Sequence, residues 1–309
     1  MKLAGATAKL DNQSAGPQTV GSLAGVTGSE VKLTRGGLVA GDDDSSTTFA
    51  GILCGTNGFT KAGLGTLTLA GTNSHTGGLA VNGGVLLVNS NSVAASGPVV
   101  VASGATLGGT GTLGGATAVQ AGGLLSPGVG IGTLAFTNSL TLAAGCTNIF
   151  EISKSPLTND AVNISGALTN GGTLIVTNLS PNVLAAGDNF KLFSAGSYNG
   201  VFAVVNLPAL GAGLAWNTNA LNTNGLLTVV SVVPPRFGSA SLAGSSLVFT
   251  ITNGTPAAGC YVLSSTNLLL PLTNWTRLAT NVFDANGAFS YTNVISANVP
   301  QNFYRMFLP

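Results

Sequence analysis

Three adjacent carboxylates, Asp42, Asp43 and Asp44, form the only cluster of charged residues in the sequence. Carboxylate oxygens are the ligands that Ca²⁺ prefers, so the cluster is a candidate calcium site. On a β-strand, however, neighbouring side chains point to opposite sides, which would separate the three carboxylates. We therefore predict a solvated turn here and keep calcium binding as the alternative.

A single histidine, His75, lies in the turn-like phrase Asn73–Gly77. Catalysis by a triad needs a histidine beside a nucleophile and a carboxylate, and no such spacing surrounds His75. Glu151, Asp160 and Asp188 are scattered along the chain, which weighs against the paired carboxylates of a glycosidase. We expect His75 to be an exposed turn residue, and we predict no catalytic residue.

The cysteines and glycines offer no cofactor site. Cys54, Cys146 and Cys260 are 92 and 114 residues apart, without the CxxC motif or Cys/His pair that would indicate zinc or a redox pair. They are predicted to be small buried hydrophobic residues, with one long-range disulfide as the alternative. The phrase Gly108–Gly111 lacks the Lys-Ser/Thr of a phosphate-binding loop and is predicted to be a backbone corner. We predict no cofactor.

Aromatic residues are the remaining candidates for ligand binding. Trp216, Trp275 and Tyr304 could stack on sugar rings if an exposed sheet presented them, and Tyr261 and Tyr291 could contribute as well. Roles in a hydrophobic core are commoner for these residue types. A carbohydrate-binding surface module is therefore an alternative function, with Trp216, Trp275 and Tyr304 as its candidate stacking residues.

The composition describes the elements that would carry these residues. The chain has 309 residues, of which 45 are glycine and only 19, ten basic and nine acidic, are charged. Helices with solvated faces need more Lys, Glu, Arg and Gln than this, whereas Thr, Asn, Val, Leu and Gly are typical of short strands and tight turns. A net charge of +1 argues against a nucleic-acid partner, and 45% hydrophobic residues exclude disorder. An all-β fold is predicted.

The hydrophobic residues are not arranged to cross a membrane. Apolar stretches such as Gly97–Ala102 and Leu268–Leu272 are far shorter than the about 20 residues of a membrane-spanning helix, so this segment is predicted not to span a bilayer. The first residues, Met1–Lys9, contain lysine but no apolar core, which excludes a signal peptide. Either a signal peptide was removed or the sequence begins inside a longer gene, and we expect the second because the repeat described next is incomplete at its start.

Leucines recur at nearly regular intervals in the first half of the chain. Leu67, Leu86, Leu107 and Leu125 follow similar Gly-containing phrases at spacings of 19, 21 and 18 residues. A repeat this short, without helix-forming residues, predicts a right-handed parallel β-helix (β-solenoid) whose coils stack through backbone hydrogen bonds. Gly and Asn would form the corners. About six coils would fit into residues 30–150, with the four leucines in one buried column.

Three successive segments, Ser46–Gly63, Leu64–Gly78 and Val81–Leu86, resemble a known family. They are similar to the autotransporter-associated β-strand repeat of bacterial secreted and surface proteins, whose usual form is TFxGxIxG, then KxGxGTLTLxGxNxYxG and VNxGxL. His75 stands where the family usually has Tyr, and Cys54 stands where it commonly has Ser. The resemblance covers residues 30–90 and continues more loosely to near residue 150. It implies a β-solenoid, an exported location and no catalytic residue.

The sequence divides into three predicted regions. Residues 1–145 would form the solenoid, and residues 146–233, with longer strands, would continue or cap it. Pro234-Pro235 is predicted to be a stiff linker. Residues 234–309 are predicted to form a small β-sandwich of the immunoglobulin or fibronectin type, and their ending, Asn302–Pro309, is similar to C-terminal modules of the same kind of secreted protein. The predicted sandwich strands are Ser246–Thr252, Cys260–Ser265, Trp275–Ala279, Ala288–Thr292 and Gln301–Leu308.

These observations together predict a non-enzymatic structural or adhesive protein, located outside a bacterial cell or on its outer surface. Its solenoid would be a rigid component that associates with itself into a fibre, or that binds other surface proteins or polysaccharide. The carbohydrate-binding module is one alternative. A polysaccharide lyase is another, since some β-helix lyases combine Asp-bound calcium with a basic residue such as Arg35 beside Asp42–Asp44, but no second acidic patch one coil away supports it.

Overall fold

The computed structural model describes residues 1–296 and 298–308. In this part of the chain nearly all regular structure is β, with 35 strands, one four-residue α-helix and one short 3-10 turn. Two compact units are present, Met1–Val230 (unit 1) and Ser231–Pro309 (unit 2). The prediction of an all-β fold is confirmed.

The elements of the two units are as follows in chain order. Unit 1 contains β1 (Lys2–Leu3), β2 (Lys9–Asp11), β3 (Gln18–Val20), β4 (Ala24–Gly25), β5 (Glu30–Leu33), β6 (Leu38–Ala40), β7 (Thr47–Phe49), β8 (Ile52–Gly55), β9 (Phe59–Lys61), β10 (Thr66–Leu69), β11 (Leu79–Val81), β12 (Val85–Val88), β13 (Asn91–Ser92), β14 (Val99–Val101), β15 (Thr106–Gly109), β16 (Thr112–Leu113), β17 (Thr117–Val119), β18 (Leu124–Pro127), β19 (Thr133–Phe136), β20 (Leu140–Leu142), β21 (Thr147–Lys154), β22 (Leu157–Asn159), β23 (Ala161–Asn170), β24 (Thr173–Asn178), β25 (Asn189–Lys191), β26 (Phe193–Gly200), β27 (Val204–Asn206), β28 (Leu214–Asn217), α1 (Leu221–Asn224) and β29 (Leu226–Ser231). Unit 2 contains β30 (Arg236–Ala243), β31 (Ser246–Thr252), β32 (Gly259–Ser265), the 3-10 turn Leu272–Asn274, β33 (Thr276–Val282), β34 (Phe289–Val294) and β35 (Phe303–Phe307).

The strands of unit 1 wind into coils with three faces. On the first face, strands pair in parallel in the order β1, β4, β7, β10, β12, β15, β18, β21, β24 and β27. The second face holds β2, β5 and β8, then β13, β16 and β19, and the third holds β3, β6, β9, β11, β14, β17 and β20. The long strands β23 and β26 each extend over the second and third faces. Because the chain visits all three faces before it returns one level further on, the predicted parallel β-solenoid is confirmed.

The predicted column of leucines is present on the first face. Leu67 pairs with Leu86, Leu86 with Leu107, and Leu107 with Leu125 in the register of the sheet. All four side chains are 0–2% exposed. Burying one leucine side chain stabilises a fold by roughly 1.5–3 kcal/mol, so such columns supply much of the free energy that holds the coils together. The next residue in the column is Asn148, which is also buried.

The coils become longer toward the end of unit 1. The register step on the first face is 26 residues from Asn148 to Leu174 and 31 residues from Leu174 to Val205. After this last coil, β29 pairs with β25 in antiparallel orientation and also pairs with β28. Phe190 of β25 and Leu221 of α1 are buried in the same hydrophobic core as the coils. This sheet and helix therefore cover the last coil of the solenoid.

Unit 2 consists of two three-stranded antiparallel sheets, β30–β31–β34 and β33–β32–β35. Phe249 and Ile251 of the first sheet and Cys260 and Val262 of the second are buried in one core, together with Phe283. Two sheets around a shared core fit the predicted small C-terminal β domain.

Unit 2 differs from the sequence prediction in one additional strand and in the bounds of most predicted strands. Strand β30 was not predicted, because all of its residues are exposed and none of them reveals a buried face. The strand predicted to begin at Trp275 begins at Thr276 instead, and Trp275 follows the 3-10 turn. Trp275 is buried at the end of that turn, and its indole N–H donates to Leu270 O.

Candidate functional site

Lys61 is the most unusual buried residue of the solenoid. Strand β9 alternates, so Phe59 and Lys61 face the interior while Thr60 is only half-buried. Lys61 is 1% exposed, although a lysine is almost never fully buried unless its ammonium is partnered. In the ladder of the third face it lies between Ala40 and Val81. The alternation of inward and outward residues that begins at Phe59 is the sequence signal that Lys61 points inward. Lysine is usually exposed, so this signal was not recognised.

Backbone carbonyls surround the ammonium of Lys61. Its Nζ atom donates to Ala62 O at 2.5 Å, to Gly63 O at 3.0 Å and to Gly83 O at 3.2 Å. An ammonium has three hydrogens to donate, so these three acceptors satisfy it. Burial lowers the pKa of Lys61, and the carboxylate of Asp44 opposes that shift. Because Gly83 follows β11 and Gly63 follows β9, Lys61 joins two successive corners of the solenoid.

Glycines make the corners around Lys61 narrow enough for this contact. Gly41 and Gly63 have φ angles of 123° and 66°, which side chains other than glycine rarely adopt. A Cβ atom on Gly63 would lie 1.9 Å from Gly41 O, and one on Gly41 would lie 3.2 Å from Lys61 Nζ. In the same corner, Asp44 Oδ1 accepts a hydrogen bond from Leu64 N at 2.6 Å. Gly63 of the KxGxG phrase and Gly41 of the preceding coil therefore permit the close approach that brings the carbonyls to the ammonium.

A second group of buried polar side chains lies on the second face. Leu53 bridges to Asn73 in the parallel ladder, and Asn73 Nδ2 donates to Ser92 Oγ at 2.9 Å. Asn73 Oδ1 has no hydrogen-bond partner among the described residues. Asn73, His75 and Ser92 line an interior cavity of about 10 Å³. A cavity of this size holds at most about one water molecule, so no substrate fits beside these side chains.

The prediction that His75 is an exposed turn residue is wrong. His75 is 1% exposed, and its Nδ1 atom has no partner within residues 1–296 and 298–308. The polar phrase around it does form a loop, but Asn73 belongs to the ladder of the solenoid, and the loop therefore encloses its own inward side chains. Burial lowers the pKa of His75, so the imidazole is neutral at pH 7. A neutral, enclosed histidine cannot contact a substrate.

Asp160, one of the carboxylates scattered in the sequence, is buried and hydrogen-bonded to two backbone N–H groups. Asp160 accepts hydrogen bonds from Gly132 N at 2.8 Å and from Glu151 N at 2.7 Å. Asp160 is 1% exposed, and burial raises its pKa to about 6, although both N–H donors partly oppose the shift. The carboxylate thus ties the start of the enlarged coil at β21 to the preceding coil. Sequence reasoning missed this contact because the partners of Asp160 are backbone atoms, which leave no pattern in the side chains.

Asp188 has a different environment. It forms an ion pair with Lys154 and accepts a hydrogen bond from Ala185 N at 2.8 Å. Burial alone would raise the pKa of Asp188, but Lys154 and the Ala185 N–H outweigh it and hold the pKa below its usual value. The pair lies in the part of unit 1 where the last coil is covered, and its chemistry is that of a structural ion pair.

The acidic cluster occupies an exposed turn. Asp42, Asp43 and Asp44 are all exposed, and Asp43 Oδ1 accepts a hydrogen bond from Ser45 N at 3.0 Å, which lowers the pKa of Asp43. Arg35 lies in the turn between β5 and β6, whereas the cluster lies between β6 and β7, so different corners of the coil hold them. No group of three or more His, Cys, Asp or Glu side chains that could hold a metal ion occurs in the described part of the chain.

The aromatic candidates contribute to hydrophobic cores. Trp216 is half-buried against the core of unit 1, and its indole N–H donates to a backbone carbonyl at 2.8 Å. Trp275 is 8% exposed and donates to a backbone carbonyl at 3.0 Å, which leaves no open ring face for a sugar. Tyr304 is half-buried, with its ring 5.4 Å from that of Phe249.

The cysteines are free thiols, so the alternative of a disulfide is wrong. Cys146 and Cys260 are buried, as predicted for small hydrophobic residues, and burial raises the pKa of both thiols. Cys54 differs from the prediction because it is only half-buried, and its Sγ donates to Glu30 Oε1 at 3.4 Å.

None of the helices in the described part of the chain has the length and apolar character needed to cross a bilayer. Residues 59–88 match the family model described as Passenger-associated-transport-repeat. No curated protein matches the chain. The matched segment contains Lys61, Asn73 and His75, so the buried polar groups lie within the repeat. The resemblance predicted from the sequence is confirmed, because the chain carries an autotransporter passenger-associated β-repeat on a β-solenoid.

Proposed function

We propose that the chain is a rigid, non-enzymatic passenger segment that a bacterium secretes or presents on its outer surface. The observation that carries this proposal is the match of residues 59–88 to the transport repeat, on coils that already form a parallel solenoid. The enclosure of Lys61, His75 and Asp160, each 1% exposed, supports the non-enzymatic part of the proposal, since none of these ionisable groups can reach a substrate.

The mechanical basis of the proposal is the continuous ladder of backbone hydrogen bonds. Each coil pairs with the coil before and the coil after it, so opening one coil breaks bonds on both sides. Proteases need an extended, unpaired segment, and the solenoid offers few of these outside its corners. A chain of this kind suits a spacer that holds other groups away from a cell.

The location can be tested on cells that produce the protein naturally. We expect antibodies against the 309-residue chain to label intact cells, or to detect the protein in the culture medium, and we expect external protease to shorten the labelled protein. A cytoplasmic protein in the same cells serves as the control for lysis. Detection only after permeabilisation would contradict the proposal.

Self-association is a second part of the proposal. Strands β1, β2 and β3 pair on one side only within the described residues, and an unpaired edge can template another chain. The opposite end is covered by α1 and the sheet of β25, β28 and β29, so a repeating end-to-end fibre would lack a second open end. We infer that the first coils of two copies of the 309-residue chain pair with each other where no preceding coil covers their open edge, and that longer fibres need lateral contacts between faces.

Sedimentation velocity over a range of concentrations tests this inference. We expect a monomer–dimer equilibrium that Thr19→Pro abolishes, because proline on β3 removes a backbone donor from the open edge. The control is Thr273→Pro, at an exposed position outside the strands. Thr141→Pro would not serve, because β20 is an internal strand whose disruption could unfold the coil. Monomers at every concentration, seen also by electron microscopy, would contradict self-association without affecting the proposed location.

A further inference from the structure

Unit 2 has a groove of about 260 Å³ beside the ends of β34 and β35. Its polar wall contains Asn293, Gln301, Asn302 and Tyr304, and aliphatic side chains such as Val299 form part of its rim. Typical small-molecule sites combine an apolar lining with a few converging polar groups in this way.

The amides and the phenol of this wall are already connected to each other. Asn293 Nδ2 donates to Tyr304 Oη at 2.8 Å, and Asn302 Nδ2 donates to the same oxygen at 3.3 Å. Because the phenol oxygen accepts both bonds, its own hydrogen remains available for donation. Asn293 Oδ1 and Asn302 Oδ1 accept no hydrogen bond from residues 1–296 and 298–308. The wall therefore combines one hydroxyl donor with two amide groups whose oxygens can accept hydrogen bonds.

The core of unit 2 holds this arrangement in place. The Tyr304 ring packs 5.4 Å from the Phe249 ring, and Phe249 is 3% exposed. The hydroxyl group, rather than the ring face, is thus what Tyr304 presents to the groove. A donor fixed by packing loses little conformational entropy when a ligand binds.

The charge and the size of the groove restrict the ligand class. No charged side chain lines it among the described residues, which disfavours phosphate, sulfate or uronate groups. A neighbouring groove of about 290 Å³ shares Val299 and Asn302 with it and is lined by Ser264, Thr266 and other uncharged residues. A ligand that fills both would be uncharged, long enough to reach from one groove to the other, and rich in hydrogen-bonding groups.

We propose that the groove of Asn293, Gln301, Asn302 and Tyr304 is a binding site for a neutral oligosaccharide. Sugar hydroxyls both donate and accept hydrogen bonds, so they match the alternating donor and acceptors of this wall. The apolar faces of sugar rings match the aliphatic rim. Tyr304, considered above for ring stacking, acts here through its hydroxyl group.

The test uses the full chain and isothermal titration calorimetry with cellohexaose, maltohexaose, mannohexaose and chitohexaose, and with oligogalacturonate as the acidic comparison. We expect at least one neutral hexasaccharide to bind. Tyr304→Phe, which keeps the ring on Phe249, is expected to weaken that binding about tenfold, the usual effect of one lost hydrogen bond. Asn302→Ala, at an exposed position, is expected to weaken it to a similar extent.

Tyr291→Phe is the matched control. Tyr291 also packs on Phe249, at 5.5 Å, but does not line the groove, so its variant should bind as the wild type does. Absence of binding by all four neutral hexasaccharides at millimolar concentration would overturn the proposal. So would binding that Tyr304→Phe and Asn302→Ala leave unchanged, or oligogalacturonate binding as tight as that of the neutral sugars. If Tyr304→Phe fails to fold, Asn302→Ala decides the outcome.

Discussion

The two units bury their hydrophobic residues in different ways. The solenoid distributes its core along columns that continue from coil to coil, as in the ladder from Leu67 to Leu125. Unit 2 concentrates its core in Phe249, Ile251, Cys260, Val262 and Phe283, between two small sheets. In a column, each residue depends mainly on the coils above and below it, whereas in unit 2 every strand depends on the same few side chains.

This difference explains where polar residues are tolerated. The solenoid interior contains Lys61, Asn73 and His75, because neighbouring corners supply carbonyls or because the loss of one contact remains local. The buried polar residues of unit 2, Ser264 and Ser265, instead lie at the end of β32 and away from the residues of its core. Unit 2 also holds one buried polar atom without a partner among the described residues, Asn281 Nδ2, but none of its described charged side chains is buried.

The largest expected effect is on unit 2. Phe249 contacts the rings of Phe237, Tyr291 and Tyr304, so Phe249→Ala should cost about 3–5 kcal/mol and unfold unit 2 under mild denaturant. Tryptophan fluorescence can separate the units, since Trp216 lies in unit 1 and Trp275 in unit 2.

Single-tryptophan versions, made with Trp216→Phe or Trp275→Phe, report each unit during urea unfolding. We expect Phe249→Ala to lower only the Trp275 transition and Leu107→Ala to lower only the Trp216 transition, while exposed Leu64→Ala changes neither. If Phe249→Ala shifts both transitions equally, the two cores unfold as one cooperative unit. That result would contradict the conclusion that the two units are stabilised independently.

The next effect concerns the buried ammonium. Lys61→Met keeps most of the side-chain volume but leaves three carbonyls without their donor, so we expect a loss of about 2–3 kcal/mol in the Trp216 transition. Lys32→Met, at an exposed position of β5, is the control and should stay within about 0.5 kcal/mol of the wild type. A variant Lys61→Met at least as stable as the wild type would mean that the desolvation of the charge outweighs its hydrogen bonds.

The sequence predicted the apolar ladders of the solenoid better than its buried polar residues. Leu67, Leu86 and Leu107 were placed in register because their phrases repeat and a buried column needs only an apolar residue at each level. Lys61 and His75 could not be placed in this way, since their types indicate solvent exposure and only the positions of neighbouring coils bury them. The contacts of Asp160 involve backbone N–H groups, whose positions depend on the fold and not on residue type.

Asp160 is expected to make the solenoid more stable as the pH falls. Its pKa is about 6 in the folded chain and near 3.8 when unfolded, so folding favours the protonated carboxyl. The stabilisation is complete below pH 3.8 and is lost as the pH rises through 6, with a total of roughly 3 kcal/mol.

The difference in unfolding free energy between the wild type and Asp160→Asn, measured from pH 4 to pH 7, isolates this contribution. Asp42→Asn, at an exposed turn, is the matched control and should leave the wild-type slope intact. A difference in unfolding free energy that stays constant with pH would contradict a raised pKa of Asp160. Asp160 would then no longer count as a buried ionisable group that distinguishes the solenoid from unit 2.

The smallest effect has the opposite sign and comes from His75. Burial lowers the pKa of His75 below the usual 6.5, so the unfolded chain binds a proton more readily than the folded chain does. The stability that this shift contributes is therefore fully present above pH 6.5 and is lost as the pH falls below it. His75→Phe should abolish this loss, which is read from the change of stability with pH and not from the stability at pH 7. Because Asp160 changes the stability over the same pH range, the measurement is made in the Asp160→Asn background. If the His75→Phe variant loses stability on acidification as steeply as its parent, His75 is protonated as easily in the folded chain as in the unfolded chain, and the prediction is wrong.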